Sequence, residues 1–353
     1  MITLITLIAP ASDNYLTGGY IYNKEISNRF SPDDIFGYYT VDARSDLSFL
    51  RGANPIILDS LFIQHPDLLF PIINKISGPR FLGLIHFLPS LDPFLTAGVR
   101  KSMQYRELRF LAGLDAYITT SNYLKQVLSG LGIPEIKITV CPPGVDPRFI
   151  ELRERRALQT NGVRTLFTAS AITRSKNLLW LLRVLESLAD IPGKEASEGG
   201  APWEWRIAGS CPGGSRYASQ FRHAVEESPL KERITLLGPI DRSGVLEQLT
   251  ETDLFLFPSA AESYGMAPLE AAAAGVPVVA NRIGAVEEFI REGENGHILS
   301  PFDRQGWRDT LKMYLRDESH SSHINTAAGP QTPFPTWDEA ADRFKQHLVQ
   351  FLR

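Results

Sequence analysis

Short apolar runs rich in β-branched residues alternate with longer amphipathic stretches along almost the whole chain. This alternation is typical of βα units, in which parallel strands form a buried sheet and helices cover its faces. The pattern therefore predicts an α/β protein. In the first half, strands are predicted at residues 2–9, 55–59, 81–86, 116–120 and 137–141, and helices at residues 18–29, 99–111 and 121–130.

A proline-rich break divides the pattern into two halves. The run Pro142-Pro143-Gly144-Val145-Asp146-Pro147 ends the first half, and a charged stretch follows at residues 151–156. Because 353 residues are too many for one ordinary core, we expect two domains, residues 1–147 and residues 148–336. In the second half, strands are predicted at residues 164–168, 205–208, 233–237, 254–257 and 277–280, and helices at residues 177–189, 215–227, 243–249 and 267–274.

Composition and charge argue against several classes of protein. The 36 basic and 40 acidic residues give a net charge of −4, without the basic excess of a nucleic-acid binder. Cys141 and Cys211 lie in different halves with no zinc-site spacing, which suits a reducing compartment. No apolar run reaches the roughly 18 residues that span a bilayer, and residues 1–9 suit a strand better than a signal peptide. We expect a cytoplasmic protein with no nucleic-acid partner.

Two polar segments, residues 191–201 and residues 318–335, are predicted to be surface loops. The second contains His320 and His323 without a carboxylate or cysteine nearby, so no metal site is predicted there. A last helix is predicted to begin at Trp337, after this loop.

Segment 257–280 is the most informative part of the sequence. A predicted strand leads into a loop with Glu262, and a glycine turn then opens a helix that carries Glu270 on its first turn. Free backbone N–H groups at Gly265, Met266 and Ala267 would favour an anion such as a diphosphate. A carboxylate can accept two hydroxyl hydrogen bonds, so the two glutamates suit a sugar and a ribose on either side. The alternative is a solvated Glu262 and a Glu270 that merely favours the helix N-terminus.

This segment resembles the signature of the family-four retaining glycosyltransferases of GT-B fold, in which two glutamates separated by seven residues bracket a nucleotide-sugar donor. Other segments match in the same order: Thr17-Gly18-Gly19-Tyr20 resembles the N-terminal glycine loop, Ile85-His86-Phe87-Leu88-Pro89 the histidine loop, and residues 115–121 and 141–146 the last strand pair and linker of the first domain. The resemblance implies two Rossmann-like doubly wound domains facing across a cleft, with a C-terminal helix at residues 337–353 crossing back to the N-domain.

The resemblance also implies roles for individual residues. Gly18 and Gly19 would let the backbone approach the sugar and diphosphate, and His86 would hydrogen-bond the donor sugar. Main-chain groups of Pro239 and Ile240 would hold the base. The segment with Glu262, Tyr264, Gly265, Met266, Ala267 and Glu270 would bind the rest of the donor.

Lys176 falls where the family places a lysine against the donor phosphates, at the start of a predicted helix. A lysine at a helix start is locally unfavourable, which supports a phosphate partner. The sequence departs from the family beside it, because Ala171 replaces the usual arginine and Ser170 replaces the usual glycine. Arg174 is the candidate substitute from the same loop.

The chain has no Asp-x-Asp pair to clamp a metal-bound diphosphate, so we predict catalysis without a metal or other cofactor. Leaving-group charge would be met by Lys176, Arg174, the glycine loop and the helix start. The resemblance implies retention at the anomeric carbon, with Glu262, His86 and Lys176 as the catalytic residues. The preferred candidate for the donor is a UDP-sugar, and a GDP-sugar or ADP-sugar is the less favoured alternative.

The acceptor stays open between a small molecule, a glycan and a glycolipid, with its pocket expected in loops at residues 20–23, 59–62 and 90–94. Any membrane contact would be peripheral. Residues 1–148 hold 13 basic and 13 acidic residues, so the basic stretch is interpreted as a solvated helix face; it comprises Arg100, Lys101, Arg106 and Arg109.

Rival functions are a nucleotide-sugar epimerase or phosphorylase of similar fold, and a non-catalytic binder of nucleotide sugars or carbohydrates. A dinucleotide dehydrogenase is disfavoured, since no GxGxxG motif follows a strand.

Overall fold

The computed structural model describes residues 4–11, 17–31, 36–75, 78–156, 165–190, 203–211, 214–316 and 334–352. The chain divides into two units, the first comprising Met1–Gly144 with Pro335–Arg353 and the second Val145–Phe334. Sequence analysis places the domain boundary after residue 147, near this division. The polar segments predicted at residues 191–201 and 318–335, with His320 and His323, lie wholly or almost wholly outside the described residues.

The first unit contains a parallel sheet of six strands. They are β1 (Leu4–Pro10), β2 (Phe36–Val41), β3 (Ala53–Asp59), β4 (Phe81–Ile85), β5 (Ala116–Thr119) and β6 (Ile138–Val140). Their order across the sheet is β2-β1-β3-β4-β5-β6. The chain therefore passes from β1 to one side and then returns to the other side. In open α/β sheets, ligands bind at such a switch point, beyond the carboxyl ends of the strands.

The helices of the first unit include one from the far end of the chain. They are α1 (Gly18–Ser27), α2 (Pro66–Lys75), α3 (Ala97–Ala112), α4 (Asn122–Gly130) and α11 (Trp337–Leu352). The ring of Trp337 meets that of Tyr22 edge-on at 5.8 Å, and Arg29 Nε donates to Asp338 Oδ1 at 2.6 Å. A Cβ on Gly144 would lie 2.3 Å from the Trp337 backbone nitrogen. The return of the C-terminal helix to the first unit is thus confirmed.

The second unit also contains a six-stranded parallel sheet. Its strands are β7 (Thr165–Ala169), β8 (Glu204–Ala208), β9 (Ile234–Gly238), β10 (Leu254–Phe257), β11 (Val278–Asn281) and β12 (Gly296–Leu299). The order is β12-β11-β10-β7-β8-β9, so the switch point lies between β7 and β10. Its helices are α5 (Pro147–Arg156), α6 (Leu178–Glu186), α7 (Arg216–Glu226), α8 (Arg242–Glu251), α9 (Met266–Ala273) and α10 (Arg304–Arg316).

Sequence analysis did not predict several of these elements. Helix α5 occupies the charged stretch that was expected to follow the domain break, because Phe149 and Leu152 form a buried stripe beneath the charges. Strand β2 is an edge strand with mostly half-buried or exposed side chains, so it lacks the apolar run of an interior strand. Strand β12 and helices α2 and α10 were also missed.

None of the helices in the described ranges is both long enough and apolar enough to cross a membrane.

Candidate active site

Lys176 and Glu262 lie in the loops that follow the two strands at the switch point of the second sheet. Lys176 ends a short 3₁₀ turn, Arg174–Lys176, between β7 and α6, and Glu262 lies between β10 and α9. The two loops are joined by a hydrogen bond from the Ala260 N–H to the Ser175 carbonyl at 2.7 Å. The fold therefore brings together two residues that are distant in sequence, at the position where α/β sheets bind ligands.

The side chains of these two residues form an ion pair, in which Lys176 Nζ donates to Glu262 Oε2. The lysine and glutamate side chains keep 22% and 21% of their surface exposed, so a ligand can reach both. Glu262 Oε1 also accepts from the Ser263 N–H at 3.3 Å. The site thus presents an ammonium and a carboxylate side by side.

The loop that contains Glu262 packs against the loop that follows β11. Gly284 has a φ of +55°, and a Cβ there would lie 2.6 Å from the Glu262 backbone oxygen. The next residue, Ala285, donates its N–H to the Ser263 carbonyl at 3.1 Å. Glycine is required at this position because of both the left-handed backbone and the close approach.

A buried amide holds the beginning of the same loop. Asn281 Nδ2 donates to the carbonyls of Pro258 at 2.7 Å and Ser259 at 3.0 Å. Its Oδ1 accepts from Trp307 Nε1 at 2.9 Å. These bonds anchor the loop to the core and leave the Glu262 side chain at the surface of the site.

Gly265, the residue before α9, caps the helix in a left-handed conformation with a φ of +94°. The first backbone hydrogen bond of the helix is donated by the Leu269 N–H to the Gly265 carbonyl at 3.2 Å. Helix geometry leaves the N–H groups of Met266 and Ala267 without an intrahelical acceptor, and proline at position 268 has no N–H. The start of α9 can therefore donate two hydrogen bonds to an anion.

Glu270 lies on the second turn of α9, and the prediction that it lies on the first turn is wrong. Its residue exposure is 7%, and its Oε1 accepts from Arg242 Nε at 2.9 Å and from Arg242 Nη2 at 2.7 Å. Sequence analysis missed Arg242, which begins α8. The available signal was a cation directly before the helix predicted at residues 243–249, where the helix dipole disfavours it.

The remaining predicted donor-binding residues of this unit occupy different environments. Tyr264 is buried, and its ring stacks on Phe289 with centroids 5.4 Å apart. Pro239 is exposed and Ile240 half-buried, in the turn between β9 and α8. Arg174 is exposed and acts electrostatically on Tyr217, whose hydroxyl accepts from the Leu179 N–H at 2.9 Å.

In the first unit, His86 follows β4 and is held in a buried polar cluster. Its Nε2 lies 3.0 Å from Asn23 Oδ1 and 3.4 Å from Asp59 Oδ2. Asn23 Nδ2 in turn donates to Asp59 Oδ2 at 2.5 Å. Because the asparagine amide nitrogen is committed to Asp59, its oxygen must accept, so Nε2 of His86 carries a hydrogen.

The segment predicted as a glycine loop is the start of α1, and it lies beside His86. Gly18 and Gly19 are the first two residues of α1, and a Cβ on Gly19 would lie 3.2 Å from His86 Cδ2. The ring of Tyr22 meets that of His86 edge-on at 5.1 Å. Helix α1 follows β1 and His86 follows β4, so both lie on the carboxyl side of the sheet.

Two of the segments expected to be acceptor loops are instead part of the core. Residues 20–23 belong to α1, where Tyr20, Tyr22 and Asn23 are buried. Asp59 ends β3 with no exposed surface and also accepts from the Leu61 N–H at 2.8 Å. Their polar and aromatic residues were expected to face an acceptor, but the Tyr20 and Tyr22 hydroxyls donate to the backbone carbonyls of Pro10 and Cys141 within the unit.

The third expected acceptor loop is fixed by helix α3. The buried Glu107 accepts from the Ser90 N–H and hydroxyl, each at 2.6 Å. Arg100 donates to the carbonyls of Ser90 at 2.5 Å and Asp92 at 2.9 Å. Arg100 is thus a structural residue of the predicted basic face, whereas Lys101 and Arg109 are exposed.

Within the described ranges, no group of three or more His, Cys, Asp or Glu side chains is arranged to hold a metal ion.

Family models match both halves of the chain. Residues 6–149 match the model described as Glycosyltransferase Family 4, and residues 163–317 match the model described as Glycosyl transferases group 1.

Curated relatives are D-inositol 3-phosphate glycosyltransferases. The protein of Mycobacterium marinum is 27% identical over 231 residues, which cover 64% of this chain and 47% of the relative. That of Pseudarthrobacter chlorophenolicus is 25% identical over 298 residues, which cover 78% of this chain and 69% of the relative. The chain thus spans about half the length of the first of these relatives.

Solved structures show the same fold at low sequence identity. Sucrose-phosphate synthase of Thermosynechococcus elongatus matches with a TM-score of 0.76 at 16% identity, over 99% of both chains. Anabaena HepE in complex with UDP-glucose matches with a TM-score of 0.73 at 15% identity, over 99% of this chain and 100% of HepE. The chain therefore belongs to the family-four glycosyltransferases and has their GT-B fold.

Proposed function

We propose that this chain is a retaining, metal-independent hexosyltransferase that uses a nucleoside diphosphate sugar, with a UDP-sugar as the first candidate. The observation that carries the proposal is the partly exposed pair of Lys176 and Glu262 at the switch point of the second sheet. An ammonium and a carboxylate in that position suit a diphosphate and a sugar hydroxyl, respectively.

The phosphates of the donor would lie between Lys176 and the start of α9. The ammonium and the N–H groups of Met266 and Ala267 supply positive charge where the leaving group becomes more negative. Arg174 is exposed on the turn of Lys176 and can add charge from the same loop. No divalent metal is then needed to stabilise the departing diphosphate.

The proposed reaction proceeds on one face of the sugar. The bond between the anomeric carbon and the phosphate oxygen breaks, and the acceptor oxygen bonds to that carbon on the same face. The acceptor proton passes to a phosphate oxygen of the leaving nucleoside diphosphate. The configuration is retained, and no side chain has to act as a covalent nucleophile.

The side chains would position the donor for this step. Glu262 would accept hydrogen bonds from hydroxyls of the transferred sugar, and Glu270 from the ribose. His86, whose ring is held by Asn23 and Asp59, would hydrogen-bond the sugar.

The acceptor is proposed to be a hydroxyl of a small polyol, a glycan or a glycolipid. Two relatives are named for D-inositol 3-phosphate, so inositol phosphates belong in an acceptor panel beside free sugars and glycolipids.

The test is an assay of nucleotide release and product formation with UDP-, GDP- and ADP-sugars across that panel, with and without EDTA. We expect acceptor-dependent transfer that EDTA leaves unchanged, and nuclear magnetic resonance should show the donor's anomeric configuration in the product. Glu262→Gln should lower kcat/KM at least about 100-fold, because the loss of one group that stabilises a transition state typically has an effect of that size. Glu294→Gln is a matched control, since Glu294 pairs with Arg291 at the surface.

Other outcomes would contradict the proposal. Binding of a nucleotide sugar without turnover on any acceptor would indicate a carbohydrate-binding protein. Conversion of the donor without an acceptor would indicate an epimerase, and inversion or EDTA sensitivity would overturn the proposed mechanism.

A further inference from the structure

We propose that Arg242 is a positioning residue that holds the Glu270 carboxylate oriented for a pair of ribose hydroxyls on the donor nucleotide. The inference rests on the proposed function and extends it to a residue on a different helix, which neither the sequence pattern nor the comparisons single out.

The geometry of the pair is specific. Nε and Nη2 of Arg242 both donate to the same oxygen, Glu270 Oε1, at 2.9 Å and 2.7 Å. Two donors from one planar guanidinium fix both the position of that oxygen and the tilt of the carboxylate. The arginine and glutamate side chains keep only 19% and 10% of their surface exposed.

The position of Arg242 in its own helix is unfavourable without such a partner. It is the first residue of α8, where the positive end of the helix dipole repels a cation. Other contacts hold the guanidinium in place: its carbon lies 5.9 Å from the centroid of the buried Phe149 ring, and its charge contributes to the lowered pKa of Asp146. Arg242 therefore connects α5, α8 and α9.

Arg242 also lies next to both of the segments that are proposed to bind the nucleoside. It comes directly after the turn with Pro239 and Ile240 that is proposed to hold the base, and its side chain reaches the glutamate proposed to hold the ribose. A residue that links these two contacts would set the affinity for the nucleoside and leave the transfer step itself unchanged.

Direct binding of UDP and of 2′,3′-dideoxy-UDP tests this role by calorimetry. We expect Arg242→Gln to weaken UDP about tenfold, the effect of losing a well-placed hydrogen-bonding group. The same substitution should leave the already weaker dideoxy analogue nearly unchanged, because that analogue lacks the hydroxyls that Glu270 would bind. With a UDP-sugar, KM should rise while kcat stays within about twofold. Arg242→Lys should restore part of the affinity.

Arg206→Gln is the matched control. Arg206 also bridges carboxylates in this unit, those of Glu204 and Glu251, and its side chain is 22% exposed. That substitution should change neither ligand's affinity.

The outcomes separate this inference from the proposed function. If wild-type protein binds UDP but Arg242→Gln weakens both ligands equally, or neither, the positioning role is overturned while the proposed function stands. A fall in kcat of Arg242→Gln at unchanged KM would also overturn the positioning role. If wild-type protein binds none of UDP, GDP and ADP, the proposed function fails, and this inference with it.

Discussion

Lys176 and Glu262 are 86 positions apart in the sequence, yet the ammonium of one donates to the carboxylate of the other at the junction of β7 and β10. Each side chain is the other's counterion. A bound donor would offer phosphate oxygens to the lysine and sugar hydroxyls to the glutamate. A bound donor could therefore give each of the two side chains its own hydrogen-bonding partner.

Removing the ammonium should impair catalysis more than folding. Lys176→Met leaves Glu262 with 21% of its side chain exposed to water, so stability should change little. The rate constant kcat/KM should fall about 100-fold, the size of effect seen when one charge-stabilising donor is removed. Steady-state kinetics and thermal unfolding measure the two effects. Lys231→Met, at an exposed pair with Glu232, is the control; similar kinetics in both variants would exclude a role for Lys176.

Gly284 should tolerate no side chain, since a Cβ there would lie 2.6 Å from the Glu262 backbone oxygen at a φ of +55°. Gly284→Ala should lower the free energy of unfolding by about 2 to 4 kcal/mol, combining backbone strain with overpacking. Activity should fall as well, because the Glu262 loop must move. Gly293→Ala shares the left-handed backbone but meets nothing within 4 Å, so it should cost only about 1 kcal/mol. Equal urea midpoints for the two variants would contradict the packing argument.

Asn23 should be essential to the His86 cluster because it bridges His86 and Asp59. Asn23→Ala leaves a fully buried carboxylate without its amide donor, which should lower the free energy of unfolding by about 2 to 3 kcal/mol. Urea unfolding measures this loss. The exposed Asn122 at the start of α4 provides the control Asn122→Ala. A fully stable Asn23→Ala protein would show that the cluster is not a structural unit.

Asp146 should make stability depend on acid pH. The hydrogen bond from the Arg148 side chain is the main cause that lowers the pKa of Asp146, against the opposing effect of burial. A lowered folded pKa contributes stability above the unfolded pKa of about 3.9, and this contribution disappears as the pH falls through the folded pKa. Because the Arg148 side chain is 49% exposed, the contribution should stay below about 1 kcal/mol.

Urea unfolding of wild type and Arg148→Gln measures this effect. Wild type should be more stable at about pH 6, and the difference should shrink as the pH falls below the unfolded pKa of about 3.9. Arg155→Gln, at an exposed position of α5, should show no such trend. A wild-type advantage that is independent of pH would mean that Arg148 acts through packing.

The predictable part of the fold was the part with strong local signals. Strand β10 was predicted with its observed bounds, since residues 254–257 are all buried and apolar. Helix α5 was missed because its many charges concealed a narrow buried stripe. The same limit applies to the site: Glu262 and Lys176 were predicted from segments that resemble the family, whereas Arg242 and Asn23 act through partners 28 and 36 positions away. Spacing along the chain carries no signal for such pairs.

The most direct test of this account is a crystal structure with an intact UDP-sugar bound. We expect the Lys176–Glu262 hydrogen bond to be replaced, with the Lys176 ammonium within hydrogen-bonding distance of a donor phosphate and the Glu262 carboxylate accepting from a sugar hydroxyl. An unbroken Lys176–Glu262 pair, with the donor bound away from both side chains and from the start of α9, would contradict it.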